Sequence, residues 1–142
     1  MFDDNGGGSQ TERLDVGEVL LVVPAAPEYL RLVRLTAAGL ASRMGFTFDE
    51  VEDLRIAVDE CCHLLVGEDG AAPAAHDRTI ELRYTAGTDS IGIAGWTATS
   101  GDTAAPTPNE LSLQILNALV DEIDLTAGDG RAGFRLTKWR EA

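Results

Sequence analysis

Basic residues are scarce in this chain. Its 142 residues hold 11 Lys and Arg against 24 Asp and Glu, a formal charge of −13. Direct nucleic-acid binding is not expected, because neutralising phosphates needs clustered Lys and Arg. Histidine and cysteine are scarce as well, with two of each, and the cysteines are neighbours, Cys61 and Cys62. On a helix, neighbours point about 100° apart, so these two neither bridge each other readily nor share one metal ion. The string Cys61-Cys62-His63 therefore makes no zinc site, and no metal site is expected. Cys61 reads as a small core residue and Cys62 as a partly covered one. Long hydrophobic runs are missing too. The opening MFDDNGGGSQTE has no basic region and no apolar stretch, and nothing further on approaches the roughly 20 apolar residues of a membrane span. The expectation is a cytoplasmic protein without a membrane anchor.

What is present is ordinary for a globular protein: 44% hydrophobic and 25% charged residues. The length suits one domain with a real core. Residues 1–12 are Gly-rich and polar and read as a disordered tail, leaving 13–142 as a single domain. An acidic surface keeps a protein soluble and also suits a basic protein partner.

The most legible stretch is residues 47–67, TFDEVEDLRIAVDECCHLLVG. Thr47 and Glu50 stand at capping-box spacing, Phe46 and Val51 at staple positions, and Gly67 is a natural left-handed stop. Val51, Leu54, Val58, Cys61 and Leu65 recur every three or four residues, which makes one apolar stripe of a helix. Beside it run Asp53, Ala57, Glu60 and Leu64, a flank that puts a carboxylate at the core boundary. Asp49, Glu50, Glu52 and Asp53 crowd the start, where the helix dipole favours them.

The remaining elements follow from similar signals. Residues 17–23, GEVLLVV, read as a strand ended by Pro24. Pro27 opens a helix to about Met44, stopped by Gly45, with Leu30, Val33, Ala37, Leu40, Ala41 and Met44 on its buried side. Arg31, Arg34 and Arg43 project from its other faces as the one basic cluster. His76 sits in a loop and is assigned no role. Residues 79–85 alternate, with Ile80, Leu82 and Tyr84 inward, and residues 90–96 return as the second strand of a hairpin. Thr107-Pro108-Asn109-Glu110 has the form of a second capping box, opening a helix that buries Leu111, Ile115, Leu119 and Leu116. Residues 121–126 and 133–140 make a last hairpin around a turn at 127–130, with Ile123, Leu125, Phe134 and Leu136 inward. Glu122 or Asp124 would pair with Arg135 across it. The order strand, helix, helix, hairpin, helix, hairpin predicts an α+β two-layer sandwich, with helices on one face of a sheet.

The segment EDLRIAVDECC, residues 52–62, resembles a helix of the RsbW-like anti-sigma factor and serine-protein kinase family, part of the GHKL superfamily. The resemblance extends over residues 17–140. It implies the Bergerat, histidine-kinase-like ATPase fold, a two-layer α/β sandwich with a mixed, largely antiparallel sheet. In that family the helix reads Glu, three residues, Asn. The Glu is a general base, and the Asn coordinates magnesium on the nucleotide. Glu60 matches the base, whereas Leu64 stands at the Asn position and cannot ligate a cation. A family strand ending in Asp-x-Gly-x-Gly, whose Asp holds the adenine amino group, here runs Ala94-Gly95-Trp96-Thr97. Trp96 either fills the adenine space or simply anchors the strand end. The lid, glycine-rich in working members so that backbone N–H groups reach phosphates, keeps Gly101 and carries Asp102. A Gly-x-Gly phosphate motif is replaced by Pro108-Asn109-Glu110-Leu111. The family's first helix contacts the sigma factor and the partner subunit, and Arg34-Leu35-Thr36 matches its Arg-x-Thr pattern, which implicates Arg31 and Arg34 in partner binding.

Three readings stand open on the sequence. The leading one is an anti-sigma factor with a degenerate ATP site, needing no cofactor. It sequesters a sigma factor and is released by partner switching with an anti-anti-sigma (STAS-type) protein. The second is an active serine/threonine protein kinase that phosphorylates the anti-anti-sigma protein, using ATP, magnesium and Glu60 as base. The third is a scaffold for some other regulator. The resemblance also implies a homodimer.

Overall fold

A computed structural model describes residues 17–66, 78–98 and 107–141. The expected tail, Gly67, His76, Gly101 and Asp102 lie outside the described residues.

The chain opens with strand β1 (Glu18–Pro24), and a 3₁₀ turn over Pro27–Tyr29 leads into α1 (Leu30–Arg43). Pro27 thus starts a tighter turn before the α-helix rather than the α-helix itself, as its fixed φ permits. Gly45, at φ 87°, ends this segment as expected of a left-handed stop. Leu30, Val33, Ala37 and Ala41 are buried.

Helix α2 (Phe48–Val66) begins at the expected box. The Glu50 N–H donates to Thr47 Oγ1 at 3.1 Å, and the Thr47 N–H donates to Glu50 Oε1 at 2.7 Å. The other carboxylate oxygen of Glu50 accepts from the Glu141 N–H at 2.9 Å, tying the start of α2 to the last described residues. Every residue of the predicted stripe is buried, and so are Ala57, Cys62 and Val66. Cys62 is therefore fully covered rather than partly. The helix packs against α1 on one side, α3 on the other and the sheet beneath, so its covered arc is wider than one stripe.

Strands β2 (Thr79–Ala86) and β3 (Ser90–Ala98) form the first hairpin, and β4 (Glu122–Gly128) and β5 (Arg131–Trp139) the second. The five strands run in the order β1-β2-β3-β5-β4, with all four pairings antiparallel. The second hairpin turns through Gly128, Asp129 and Gly130, all at positive φ. Asp124 faces Arg135 in register, while Glu122 faces Thr137.

Alternation assigns the two faces. Ile80, Leu82 and Tyr84 of β2, Ile91 and Ile93 of β3, and Phe134 and Leu136 of β5 are buried under the helices. The Tyr84 hydroxyl crosses between the layers and donates to the Val33 carbonyl at 3.0 Å. Leu20, Val22, Ala94, Trp96 and Arg135 occupy the opposite, open face.

Helix α3 (Glu110–Leu119) differs from its sequence signal. Its cap is Asn109, whose Oδ1 accepts from the Ser112 N–H at 2.8 Å, so Thr107 and Pro108 precede the helix. Asn caps as well as Thr does, and here it wins the position. Leu116 is fully buried, but Leu111 is 65% exposed. The helix lies near the β4 edge and sinks only one line of side chains.

Candidate functional site

The flank of α2 predicted to matter faces α3. Asp53, Glu60 and Leu64 are half-buried there. The Ser112 hydroxyl, on the first turn of α3, donates to Glu60 Oε2 at 2.5 Å. A hydrogen bond to an ionised acceptor is short and strong. At the other end of α3, Lys138 Nζ donates to the Leu119 carbonyl at 2.7 Å and stands 4.0 Å from Asp53 Oδ2. A cation there meets the negative end of the helix. One side-chain contact therefore holds the start of α3 to α2, and another holds its end to β5. Sequence reasoning missed Ser112. The available signal was its place directly after Pro108-Asn109-Glu110-Leu111, the segment that the resemblance sets against the family's phosphate motif.

A carboxylate touching a hydroxyl can orient it and accept its proton. Here the hydroxyl belongs to the protein itself, so the Glu60 oxygen that would serve an acceptor is already engaged.

The β3 side of the site is filled from within. Gly95 faces the helices, and a Cβ there would stand 2.6 Å from Phe134 Cε2 and 2.9 Å from Cζ. The Phe134 ring thus covers the Gly95 backbone. Ala94 and Trp96 point to the open face, away from Glu60. Trp96 therefore does not fill a space beneath the helices. Its ring carries the Arg131 guanidinium 5.4 Å from the centroid, an anchoring contact on the far side of the sheet. A hollow of about 480 Å³ beside it is lined by Trp96, Asp124, Thr126, Arg131 and Arg135, and likewise lies away from Glu60. Thr97 is the polar residue that β3 does bury, and its hydroxyl donates to the Thr79 carbonyl at 2.8 Å.

The basic cluster of α1 is divided. Arg31 is exposed. Arg34 Nη1 pairs with Asp59 Oδ1 of α2 at 2.5 Å, and His63 Nδ1 lies 2.8 Å from the Asp59 carbonyl. Burial, and secondarily Glu60, pushes the Cys61 thiol up to about 12. Burial pushes Cys62 in the same direction. Neither is a nucleophile near neutral pH.

The fold defines a class: a two-layer α+β domain of the histidine kinase-like ATPase type. A profile of the histidine kinase-like ATPase domain matches residues 23–138. The serine-protein kinase RsbW of Bacillus pumilus (strain SAFR-032) is 33% identical over 132 residues, covering 76% of this chain and 77% of that protein. RsbW of Bacillus subtilis (strain 168) is 65% identical over 40 residues, 28% of this chain. The solved RsbU and RsbW domains of a Mycobacterium tuberculosis protein superpose with a TM-score of 0.66 at 18% identity. That match covers 87% of this chain and 32% of the other, and it shows the fold. The chain belongs to the histidine kinase-like ATPase family, in its RsbW-like branch.

The family normally uses ATP and magnesium, and the residues here fit neither well. Leu64 offers no donor atom and Glu60 is engaged by Ser112. Among the described residues, no three His, Cys, Asp or Glu gather as a cation site. β3 carries no carboxylate for adenine, and Phe134 covers Gly95. Among the described residues, no helix is long and apolar enough to cross a membrane.

Proposed function

We propose that this chain is an anti-sigma regulatory factor. It captures a sigma factor by protein–protein contact, gives it up when an anti-anti-sigma protein competes, and does so without a working nucleotide site. The observation that carries this reading is the Ser112–Glu60 hydrogen bond, which satisfies the family's catalytic carboxylate internally. Leu64, the Phe134 ring over Gly95 and the absence of an acidic residue on β3 support it. The charge of −13 suits a partner that itself binds DNA. Arg31 and Arg34 would contact the sigma factor, and the working form would be a cytoplasmic homodimer.

A second reading, an active serine/threonine kinase, is favoured by one feature: Glu60 is retained and is placed against a hydroxyl. The curated relatives are also named serine-protein kinases.

Thermal unfolding with and without excess Mg-ATP separates the two. A ligand at about a hundred times its dissociation constant stabilises by roughly 2.7 kcal/mol, on the order of ten degrees for a domain of this size. No shift at millimolar Mg-ATP, together with capture of a sigma factor, is the expected result. A clear shift, with phosphate transfer to an anti-anti-sigma protein that disappears in Glu60→Ala, would put the kinase reading first.

A further inference from the structure

The hollow on the open face of the sheet has no part in the readings above. It lies where β3, β5 and β4 run side by side, and its volume of about 480 Å³ is in the range of small-molecule sites. The strand register builds it. Gly133 faces Trp96 on one side and Thr126 on the other. A Cβ on Gly133 would stand 3.1 Å from Trp96 Cβ and 3.4 Å from Thr126 Oγ1. Glycine therefore makes the floor, with the indole as one wall and the Thr126 hydroxyl as the other. Arg131 and Arg135 flank Gly133 along β5, and alternation puts both on the same face. Asp124 stands opposite Arg135. The charges here are not matched internally. Arg34, Arg55, Arg83 and Arg140 each have a carboxylate partner. Among the described residues, Arg131 and Arg135 have none: Arg131 lies over the Trp96 ring, and Arg135 forms no ion pair with the neighbouring Asp124. In a chain of −13, two cations without carboxylates around one hollow are set for an anion from outside.

We propose that this hollow binds a small aromatic carboxylate that bears a hydroxyl or amine on its ring. The carboxylate sits above Gly133 between the Arg131 and Arg135 guanidinium groups, whose planar forks match it. The ring lies against the Trp96 indole, a surface that favours another flat π-system over a saturated ring. Asp124 would repel a purely anionic ligand and accepts a hydrogen bond from a donor on the ring, so it selects a ligand with such a donor. With both arginines and Asp124 charged, the hollow is left with a single positive charge, which one carboxylate neutralises; a polyphosphate would bring excess charge against Asp124. The hollow is on the face turned away from Glu60, so binding there depends on neither the sigma-factor nor the kinase reading.

The test is a nitrogen-edited NMR titration of the full chain with para-hydroxybenzoate, benzoate and cyclohexanecarboxylate. The chain has two tryptophans, so two indole N–H signals report, and Trp139→Phe assigns them. With para-hydroxybenzoate the Trp96 signal should move and saturate, with a dissociation constant below about 1 mM, while the Trp139 signal stays. Benzoate, which lacks the donor for Asp124, should bind several-fold more weakly, and cyclohexanecarboxylate at least about tenfold more weakly. Arg135→Ala, at an exposed position, should weaken para-hydroxybenzoate by at least about tenfold, whereas Arg43→Ala at the end of α1 should leave it unchanged. No saturable movement of the Trp96 signal up to about 10 mM overturns the site. Undiminished binding by Arg135→Ala, or equal binding of cyclohexanecarboxylate, overturns it as well.

Discussion

The hydroxyl of Ser112 and the carboxylate of Glu60 meet at 2.5 Å across the gap between α3 and α2. Their positions are 52 residues apart in sequence, and the bond ties the first turn of α3 to α2. Ser112→Ala should lower stability by about 1.5–3 kcal/mol, the range of a hydrogen bond to a charged group. In a double-mutant cycle with Glu60→Gln, measured by urea unfolding, the two substitutions should be non-additive. Additive losses would show that the contact contributes nothing in solution.

Glu50 should set part of the acid limb of stability. Its carboxyl is held below the ordinary value of 4.5, first by the Thr47 N–H and next by the Glu141 N–H. A depressed carboxyl stabilises the fold fully above its unfolded value. That contribution is lost as pH falls through the lower native value. Glu50→Gln should cost about 1 kcal/mol at pH 7. Its urea midpoint should then fall less steeply than the wild type's between about pH 5 and pH 3.

Gly95→Ala should be destabilising by about 1–3 kcal/mol, because the new methyl meets the Phe134 ring and neither strand can shift freely. Phe134→Leu in the same chain should recover part of the loss. Calorimetry on the two single variants and the double variant reads this directly.

Cys61 and Cys62 should resist alkylation by iodoacetamide at pH 8 in the native state and react fully in denaturant. Both are buried, and Cys61 is pushed up to about 12. Rapid labelling of the native protein would mean that α2 opens far more readily than its packing implies.

Arg31 is exposed, whereas Arg34 is already paired with Asp59. If α1 captures a sigma factor, Arg31→Glu should weaken capture by roughly tenfold, mostly by slowing association, and more at low salt than at high. Surface plasmon resonance at two ionic strengths measures both effects. Unchanged rates would remove Arg31 from the contact.

The helices and strands facing the core were legible because their patterns are local. The α2 stripe from Val51 to Leu65 and the β2 alternation Ile80, Leu82, Tyr84 are each set by the period of one element, and all are buried. The box at Thr47 and Glu50 is equally local and formed as read. What escaped depends on where elements lie relative to one another. α3 looks amphipathic, yet it stands at an edge and leaves Leu111 exposed. The Glu50–Glu141 and Glu60–Ser112 bonds join residues 91 and 52 positions apart, which no periodicity encodes. The cap of α3 lies at Asn109 rather than Thr107, because both carry side chains suited to capping and the sequence pattern does not rank them.

The bond from Tyr84 to the Val33 carbonyl has a mechanical meaning. It lies in the buried seam between the first helix and the second strand, with its phenol pushed up in pKa by burial and so kept neutral and able to donate. A helix anchored in this way does not slide independently over the sheet. A partner that pulls on α1 pulls on β2, and through it on the β1 edge. The first helix and the β1 edge are thus joined through β2 by direct contacts rather than through a loop.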